Sequence, residues 1–158
     1  MKYKDTEFTE IIKPILTNKK FQELKGRAHH GTTRYSHSLR VAYYSYKTSK
    51  ALHLNYQEIT TAALMHDFFT DEVQDENGFD RLIDHPSYAL ANAKKYYDLS
   101  YMQEDIIKNH MYPITLEHPH TKEAMLVDTV DNIVSIKERL TSPIRHKHKE
   151  LIKKKSDK

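Results

Sequence analysis

Helical periodicity of the apolar residues is the feature that most limits the folds open to this chain. The spacing i, i+3, i+4, i+7, i+8 appears near the start, in Phe8, Ile11, Ile12, Ile15 and Leu16. Only three Gly and five Pro occur among the 158 residues, too few for a fold built on many tight turns. We therefore predict an all-α fold, a single-domain bundle of about six to eight helices.

Capping residues and helix breakers predict where these helices begin and end. Asn55 followed by Glu58, and Ser100 followed by Gln103, are typical of capping boxes that open helices. Because Pro86 is tolerated in a first helical turn, a helix is predicted to start just before it. The predicted helices cover about 8–16 (with a kink or end at Pro14), 19–24, 34–53, 56–69, 84–97, 101–111 and 121–140, and 27–33 is predicted to be a loop.

The last of these helices is predicted to line the core with apolar residues. After Pro143 the pattern indicates only a short basic helix or a frayed tail. The apolar residues of the last helix are Ala124, Met125, Val127, Val130, Ile133, Val134 and Ile136.

The net charge of +3 is concentrated at the end of the chain. Residues 145–158 carry seven Lys or Arg, whereas the preceding residues carry 18 Lys or Arg against 20 Asp or Glu. We therefore predict a domain over residues 1–144 and a basic C-terminal tail over residues 145–158. This distribution argues against a nucleic-acid partner for the domain itself.

Composition also limits the cellular setting and the type of metal site. No apolar run approaches the ~20 residues that a membrane-spanning helix needs. No apolar stretch follows the first positive charges, so no secretory signal is predicted. A soluble, cytoplasmic protein without a membrane partner is the expectation. Since the chain has no Cys, any metal site must use imidazole and carboxylate ligands.

A central apolar run, residues 62–69, contains two adjacent side chains that can bind metal, His66 and Asp67. Helical bundles build metal sites from side chains of several helices that point into the core. Imidazole and carboxylate ligands suit Fe, Mn, Zn or Co. Six candidates exceed the needs of one open catalytic ion and suit two ions bridged by a carboxylate, for which Asp67 is the natural choice. The candidates are His37, His66, Asp67, His85, His110 and Asp131.

Several of these assignments have alternatives. Asp128 lies one helical turn before Asp131 and competes with it for the last position. Arg34, one turn before His37, is either a phosphate-binding group or an ordinary surface cation. His29 and His30 either line the mouth of the site or belong to a plain loop. The acidic residues 71–76 and the His118–His120 segment are interpreted as solvated loops.

Three segments together resemble the H…HD…D pattern of the HD-domain phosphohydrolase superfamily. They are RYSHSLRVA at 34–42, ALMHD at 63–67 and VDNI at 130–133. With His85 and His110 the order becomes H…HD…H…H…D, which resembles the di-iron HD hydrolases that cleave dinucleoside tetraphosphates symmetrically. The Gly-Tyr-Pro segment of the cyclic-di-GMP phosphodiesterases is missing, and Thr70 stands where many binuclear members have Lys.

The resemblance implies an HD-type helical bundle that binds two divalent metal ions and hydrolyses a phosphate ester or anhydride, with a nucleotide as the expected substrate. It implies attack by a metal-bound hydroxide, with Asp67 as a catalytic residue. Arg34 is predicted to be catalytic and substrate-binding from its position one turn before His37, and His30 to be substrate-binding if its loop lines the mouth of the site. The alternatives are a non-catalytic HD module that binds a nucleotide or metal, and a di-iron oxidative HD enzyme. A homodimer is left open.

Overall fold

The computed structural model describes the backbone of residues 3–29, 32–70 and 78–156, and the side chains of residues 3–27, 32–70 and 83–141. Over these residues the chain forms seven α-helices, which confirms the predicted all-α bundle of six to eight helices. The helices are α1 Thr6–Leu16, α2 Lys19–Gln22, α3 Arg34–Ala51, α4 Tyr56–Met65, α5 Gly78–Tyr96, α6 Tyr101–Lys108 and α7 Lys122–Ser156.

A 3-10 helix and a short β-hairpin lie between α2 and α3; the 3-10 helix overlaps the end of the predicted helix 19–24, and the hairpin lies where a loop was predicted over 27–33. A 3-10 helix covers Glu23–Gly26 and directly follows α2. Strands β1 (Ala28–His29) and β2 (Thr32–Thr33) pair antiparallel, with Ala28 opposite Thr33. Thr33 also caps α3, because its side chain accepts a hydrogen bond from the Ser36 backbone N–H at 3.2 Å. The hairpin therefore leads directly into the first turn of α3.

The core lies where α3 packs against α4 and α7, and α6 packs against α4 and α7. α1 covers α4, and α5 packs on α6. Phe8, Tyr46, Leu64, Phe68 and Ile107 are at most 1% exposed within this core. Burial of one such large side chain contributes about 1.5–3 kcal/mol to folding. No helix in the described part of the chain is both long and apolar enough to cross a membrane.

One of the two predicted capping boxes is complete. Ser100 Oγ accepts from the Gln103 backbone N–H at 3.3 Å, and Gln103 Oε1 accepts from the Ser100 backbone N–H at 3.0 Å. At α4, Asn55 Oδ1 accepts from the Glu58 backbone N–H at 3.5 Å. The Glu58 carboxylate, however, accepts from the Asn55 side-chain amide at 2.7 Å, so this box is only half formed.

The prediction that α4 continues to about residue 69 is wrong, because the helix ends at Met65. A tight turn follows, in which the Phe68 backbone N–H donates to the Met65 carbonyl at 3.0 Å. The turn lets two consecutive aromatic rings reach different partners. Phe68 contacts Phe21 with ring centroids 5.3 Å apart. Phe69 instead contacts His85 of α5, with ring centroids 5.1 Å apart. His66 and Asp67 consequently lie on a turn rather than on a helix.

The predicted start of α5 near residue 84 is also wrong. The helix begins at Gly78 and contains Pro86 in its interior. Proline removes one backbone hydrogen bond there, which is why the sequence pattern favours a helix start. Burial of Ala89 and Ala93, both 0% exposed, stabilises the helix on the far side of the proline.

Helix α7 has two apolar faces, of which only one belongs to the core. Ala124, Val127 and Val134 are buried as predicted, but Met125, Ile133 and Ile136 are exposed at 58%, 60% and 58%. The prediction of these three as core residues is wrong because polar side chains occupy part of the inward face instead. The backbone of α7 continues through Pro143 to Ser156, without the break expected there.

Candidate metal centre

The six candidate ligands meet in one buried cluster. His37 lies in the first turns of α3, and His66 and Asp67 lie on the turn after α4. His85 lies within α5, His110 just after α6, and Asp131 in α7. Their exposed fractions are 1% (His37), 1% (His66), 3% (Asp67), 7% (His85), 2% (His110) and 7% (Asp131).

One side of the cluster is formed by His37, His66, Asp67 and Asp131. His37 Nε2 is 2.8 Å from Asp131 Oδ1, and His66 Nε2 is 3.7 Å from the same oxygen. His66 Nε2 is also 3.8 Å from Asp67 Oδ2. Two atoms that each bind one ion at about 2.1 Å lie no more than roughly 4 Å apart. All three separations satisfy that limit.

The other side is formed by Asp67, His85 and His110. Asp67 Oδ1 is 3.4 Å from His85 Nε2 and 3.9 Å from His110 Nε2. The two imidazole nitrogens are 3.0 Å apart. Asp67 thus directs Oδ2 towards His66 and Oδ1 towards His85 and His110, so its two oxygens face different imidazoles.

Hydrogen bonds to the backbone determine the tautomers of two of the imidazoles. His66 Nδ1 donates to the Ala63 carbonyl and His110 Nδ1 donates to the Ile107 carbonyl, each at 2.8 Å. A carbonyl only accepts, so Nδ1 carries the hydrogen and Nε2 presents its lone pair to the cluster. His66 Nε2 is buried and has no hydrogen-bond partner among the described residues. A metal ion would satisfy that atom.

The electrostatics of the cluster differ between its two sides. Burial lowers the pKa of His110, and His66 and His85 add to that effect, so the pKa falls to about 3 and the ring is neutral. Burial also lowers the pKa of His37, but hydrogen bonds to Asp131 and Glu138 outweigh it and raise the pKa to about 10. The negative field that holds a proton on His37 also favours a divalent cation, which must displace the Nε2 proton.

A further buried carboxylate, Glu138, contacts the cluster from α7 and was not predicted from the sequence. Glu138 Oε2 accepts from His37 Nδ1 at 3.0 Å, and Glu138 Oε1 accepts from Arg40 Nε at 2.5 Å. Burial alone would raise the pKa of Glu138, but His37 and Arg40 hold it below its ordinary value. Its seven-residue separation from Asp131 is the only local signal that these two carboxylates share a face of α7.

The two competing aspartates have different surroundings. Asp131 lies within the cluster. Asp128 is hydrogen-bonded to Asn132, whose Nδ2 donates to Asp128 Oδ1 at 3.4 Å. Burial, and then repulsion from Asp131, raise the pKa of Asp128 to about 7. Among the described residues, the groups able to share one ion include Asp131 and not Asp128.

Arg34 lies beside the cluster rather than in it. Its guanidinium is stacked on the Phe69 ring, 3.7 Å from the centroid, and Nη1 donates to the Phe69 carbonyl at 3.2 Å. The Phe69 ring in turn packs on His85, with centroids 5.1 Å apart. His30, the other predicted substrate-binding residue, lies outside the described residues, as do the acidic residues 71–76.

His118 and His120 lie in the connection between α6 and α7. The His120 backbone N–H donates to both oxygens of Asp105, at 3.2 and 3.1 Å. Thr121 contributes its backbone N–H at 2.8 Å and its hydroxyl at 2.7 Å to Asp105 Oδ2. Asp105, which no sequence motif indicates, therefore clamps the start of α7 onto α6.

The family model described as an HD domain matches residues 34–135 of the chain. This span covers well over half of the chain and includes all six clustered residues. Comparison with the curated proteins and with the solved structures produced no match.

Proposed function

This chain belongs to the HD domain family, and from that membership we propose that it hydrolyses a phosphate ester or anhydride bond of a nucleotide. The family indicates the metal-dependent phosphohydrolase superfamily, whose domains bind divalent metals. The proposal is supported by a buried cluster of nitrogen and oxygen ligands with no sulfur, a donor set suited to Fe, Mn, Zn or Co.

The observation that carries the proposal is the orientation of Asp67. Its two oxygens face different groups, Oδ2 towards His66 and Oδ1 towards His85 and His110. We propose that His37, His66, Asp67 and Asp131 hold one ion and that Asp67, His85 and His110 hold a second. Bound there, such ions would polarise the phosphoryl group as Lewis acids and would lower the pKa of a coordinated water towards about 7.

The chain itself supplies orientation, neutral ligands and a cation for phosphate. Backbone carbonyls hold His66 and His110 with Nε2 towards the cluster. Burial keeps bulk water away from the reacting groups and strengthens each electrostatic contact. Arg34 is proposed to bind a substrate phosphate, because its guanidinium lies over the Phe69 ring, which also packs on His85 of the cluster.

For the substrate we propose a dinucleoside polyphosphate. Support comes from the order H…HD…H…H…D of the ligands, which resembles the HD hydrolases that cleave dinucleoside tetraphosphates symmetrically. Thr70, 6% exposed, offers a hydroxyl where a Lys would offer a charge. Phosphate binding would therefore depend more strongly on Arg34.

The test is a hydrolysis screen of protein loaded separately with Mn²⁺, Fe²⁺, Co²⁺ or Zn²⁺. Nucleoside monophosphates, dinucleoside polyphosphates and cyclic dinucleotides serve as substrates, and products are identified by chromatography. We expect turnover that chelator abolishes and added metal restores. Protein that binds metal and a nucleotide without turnover would instead be a binding module.

A further inference from the structure

The imidazole of His37, on α3, lies between two carboxylates of α7. Asp131 Oδ1 is 2.8 Å from Nε2, and Glu138 Oε2 is 3.0 Å from Nδ1. His37 is 1% exposed, so bulk water does not compete for either nitrogen. Each ring nitrogen of His37 therefore lies within hydrogen-bond distance of a carboxylate of α7.

This arrangement follows from helix geometry. Asp131 and Glu138 are seven residues apart, which is two turns, and they lie on one face of α7 roughly 10 Å apart along its axis. Helix α3 packs against α7 and places His37 between them. One carboxylate thus belongs to the cluster, and the other contacts His37 from outside it.

Glu138 is itself held in place through its second oxygen. Arg40, one turn after His37 on α3, donates Nε to Glu138 Oε1 at 2.5 Å. Arg40 Nη2 also donates to Thr32 Oγ1 at 2.8 Å, which links the pair to β2. With one oxygen on Arg40 and the other on His37, the carboxylate has a single defined orientation.

His66 and His110 are oriented differently. Their Nδ1 atoms donate to the neutral carbonyls of Ala63 and Ile107, whereas Nδ1 of His37 donates to a carboxylate. A carboxylate partner raises the basicity of the opposite ring nitrogen more than a carbonyl does. Once a cation has displaced its proton, Nε2 of His37 would therefore be the strongest electron donor of these three nitrogens.

We propose that Glu138 is a positioning residue that fixes the tautomer and raises the basicity of His37, and that Arg40 orients Glu138 for this role. The inference rests on the proposed function, since it concerns how the proposed metal centre is tuned. Loss of Glu138 is predicted to weaken only the ion that His37 helps to hold, because Glu138 contacts His37. The ion proposed at His85 and His110 should bind as before.

The experiment is a Co²⁺ titration of metal-depleted full-length protein against a competing chelator, followed by visible absorption. In Glu138→Ala we expect the ion held by His37 to bind 10–100-fold more weakly, with an altered Co²⁺ spectrum. The ion held by His85 and His110 should bind as it does in the parent. Glu138→Gln keeps an acceptor for Nδ1 and should lie between the parent and the alanine variant. If the alanine variant does not fold, the near-isosteric glutamine variant carries the test with the same expected direction.

The matched control is Glu104→Ala, which removes a carboxylate paired with Lys94 at 2.6 Å, away from the cluster. Both ions should bind this variant as they bind the parent. Parent-like affinity for both ions in the Glu138 variants, or equal weakening of both, would overturn the inference and leave the proposed function standing. A parent protein that binds no metal would overturn both.

Discussion

Asp67 connects the two sides of the centre at the level of a single residue. One carboxylate places an oxygen 3.8 Å from His66 Nε2 and another 3.4 Å from His85 Nε2. It is 3% exposed, so its charge must be compensated inside the protein. Replacement of this residue removes one ligand atom from each proposed site at once.

We expect Asp67→Ala to lower turnover by more than about 100-fold, beyond the range usual for residues outside the ligand shell. Metal content, measured by elemental analysis, should fall in parallel. Asp128→Ala is the control, because Asp128 is bonded to Asn132 and lies outside the cluster. If Asp128→Ala lost turnover and metal while Asp67→Ala kept both, Asp128 would be a ligand and Asp67 would not belong to the centre.

Arg34 provides a second test of the proposed function. We expect Arg34→Ala to raise KM for a phosphorylated substrate roughly 10–100-fold, the range for loss of a charged hydrogen bond. Steady-state kinetics measures this, with Lys47→Ala as an exposed cation of the same helix for comparison. An unchanged KM would indicate that Arg34 serves only to pack on Phe69.

At the level of elements, the connection from α6 to α7 depends on Asp105. Burial alone would raise its pKa, but hydrogen bonds from Thr121, Asn109 and His120 hold that pKa below the ordinary value. This clamp determines where α7 begins, and α7 carries Asp131. No sequence pattern identifies this clamp, because a lone Asp in an amphipathic helix resembles any surface carboxylate.

We expect Asp105→Asn to destabilise the protein by about 1–3 kcal/mol at pH 7, because donors at Thr121 and His120 lose a charged acceptor. The folded-state pKa is lowered, so the stabilisation is complete above the unfolded value of 3.8 and is lost as pH falls further. Thermal unfolding measures the stability of parent and variant, with Glu123→Gln as control. The difference in Tm between parent and Asp105→Asn should narrow below pH 3.8. A difference independent of pH would exclude the ionised clamp.

For the whole molecule, the proposed centre brings together three helices (α3, α5 and α7), the turn after α4 and the segment just after α6. Such a cluster of carboxylates and imidazoles is absent from the unfolded chain, so metal binding adds to folding stability. At a free metal concentration about 100 times Kd, each site contributes about 2.7 kcal/mol. Elemental analysis should find close to two ions per chain, and calorimetry should find a higher Tm with metal than with chelator. Full activity with one ion would contradict the binuclear proposal.

The basic segment 145–158 is predicted to be accessory to the chemistry, since the HD match ends at residue 135. Deletion of these residues should leave kcat and KM unchanged in the hydrolysis assay. A loss of turnover with unchanged metal content would show that the segment contributes to substrate binding.

The sequence alone determines the helical class, the complete capping box at Ser100, and the types and order of the six clustered residues. These depend on periodicity and on contacts a few residues apart, which a single sequence displays. The sequence does not determine every helix boundary: the end of α4 and the start of α5 depend on which side chains find buried partners.

Only the tertiary structure decides which face of α7 is inside and which residues support the centre. Met125 and Ile133 have the hydrophobicity of core residues, yet they point outwards because Asp131 and Glu138 take up the inward face. Glu138 meets His37 across 101 residues of chain. No local pattern encodes such a pairing, because it exists only when α3 and α7 pack together at one particular register.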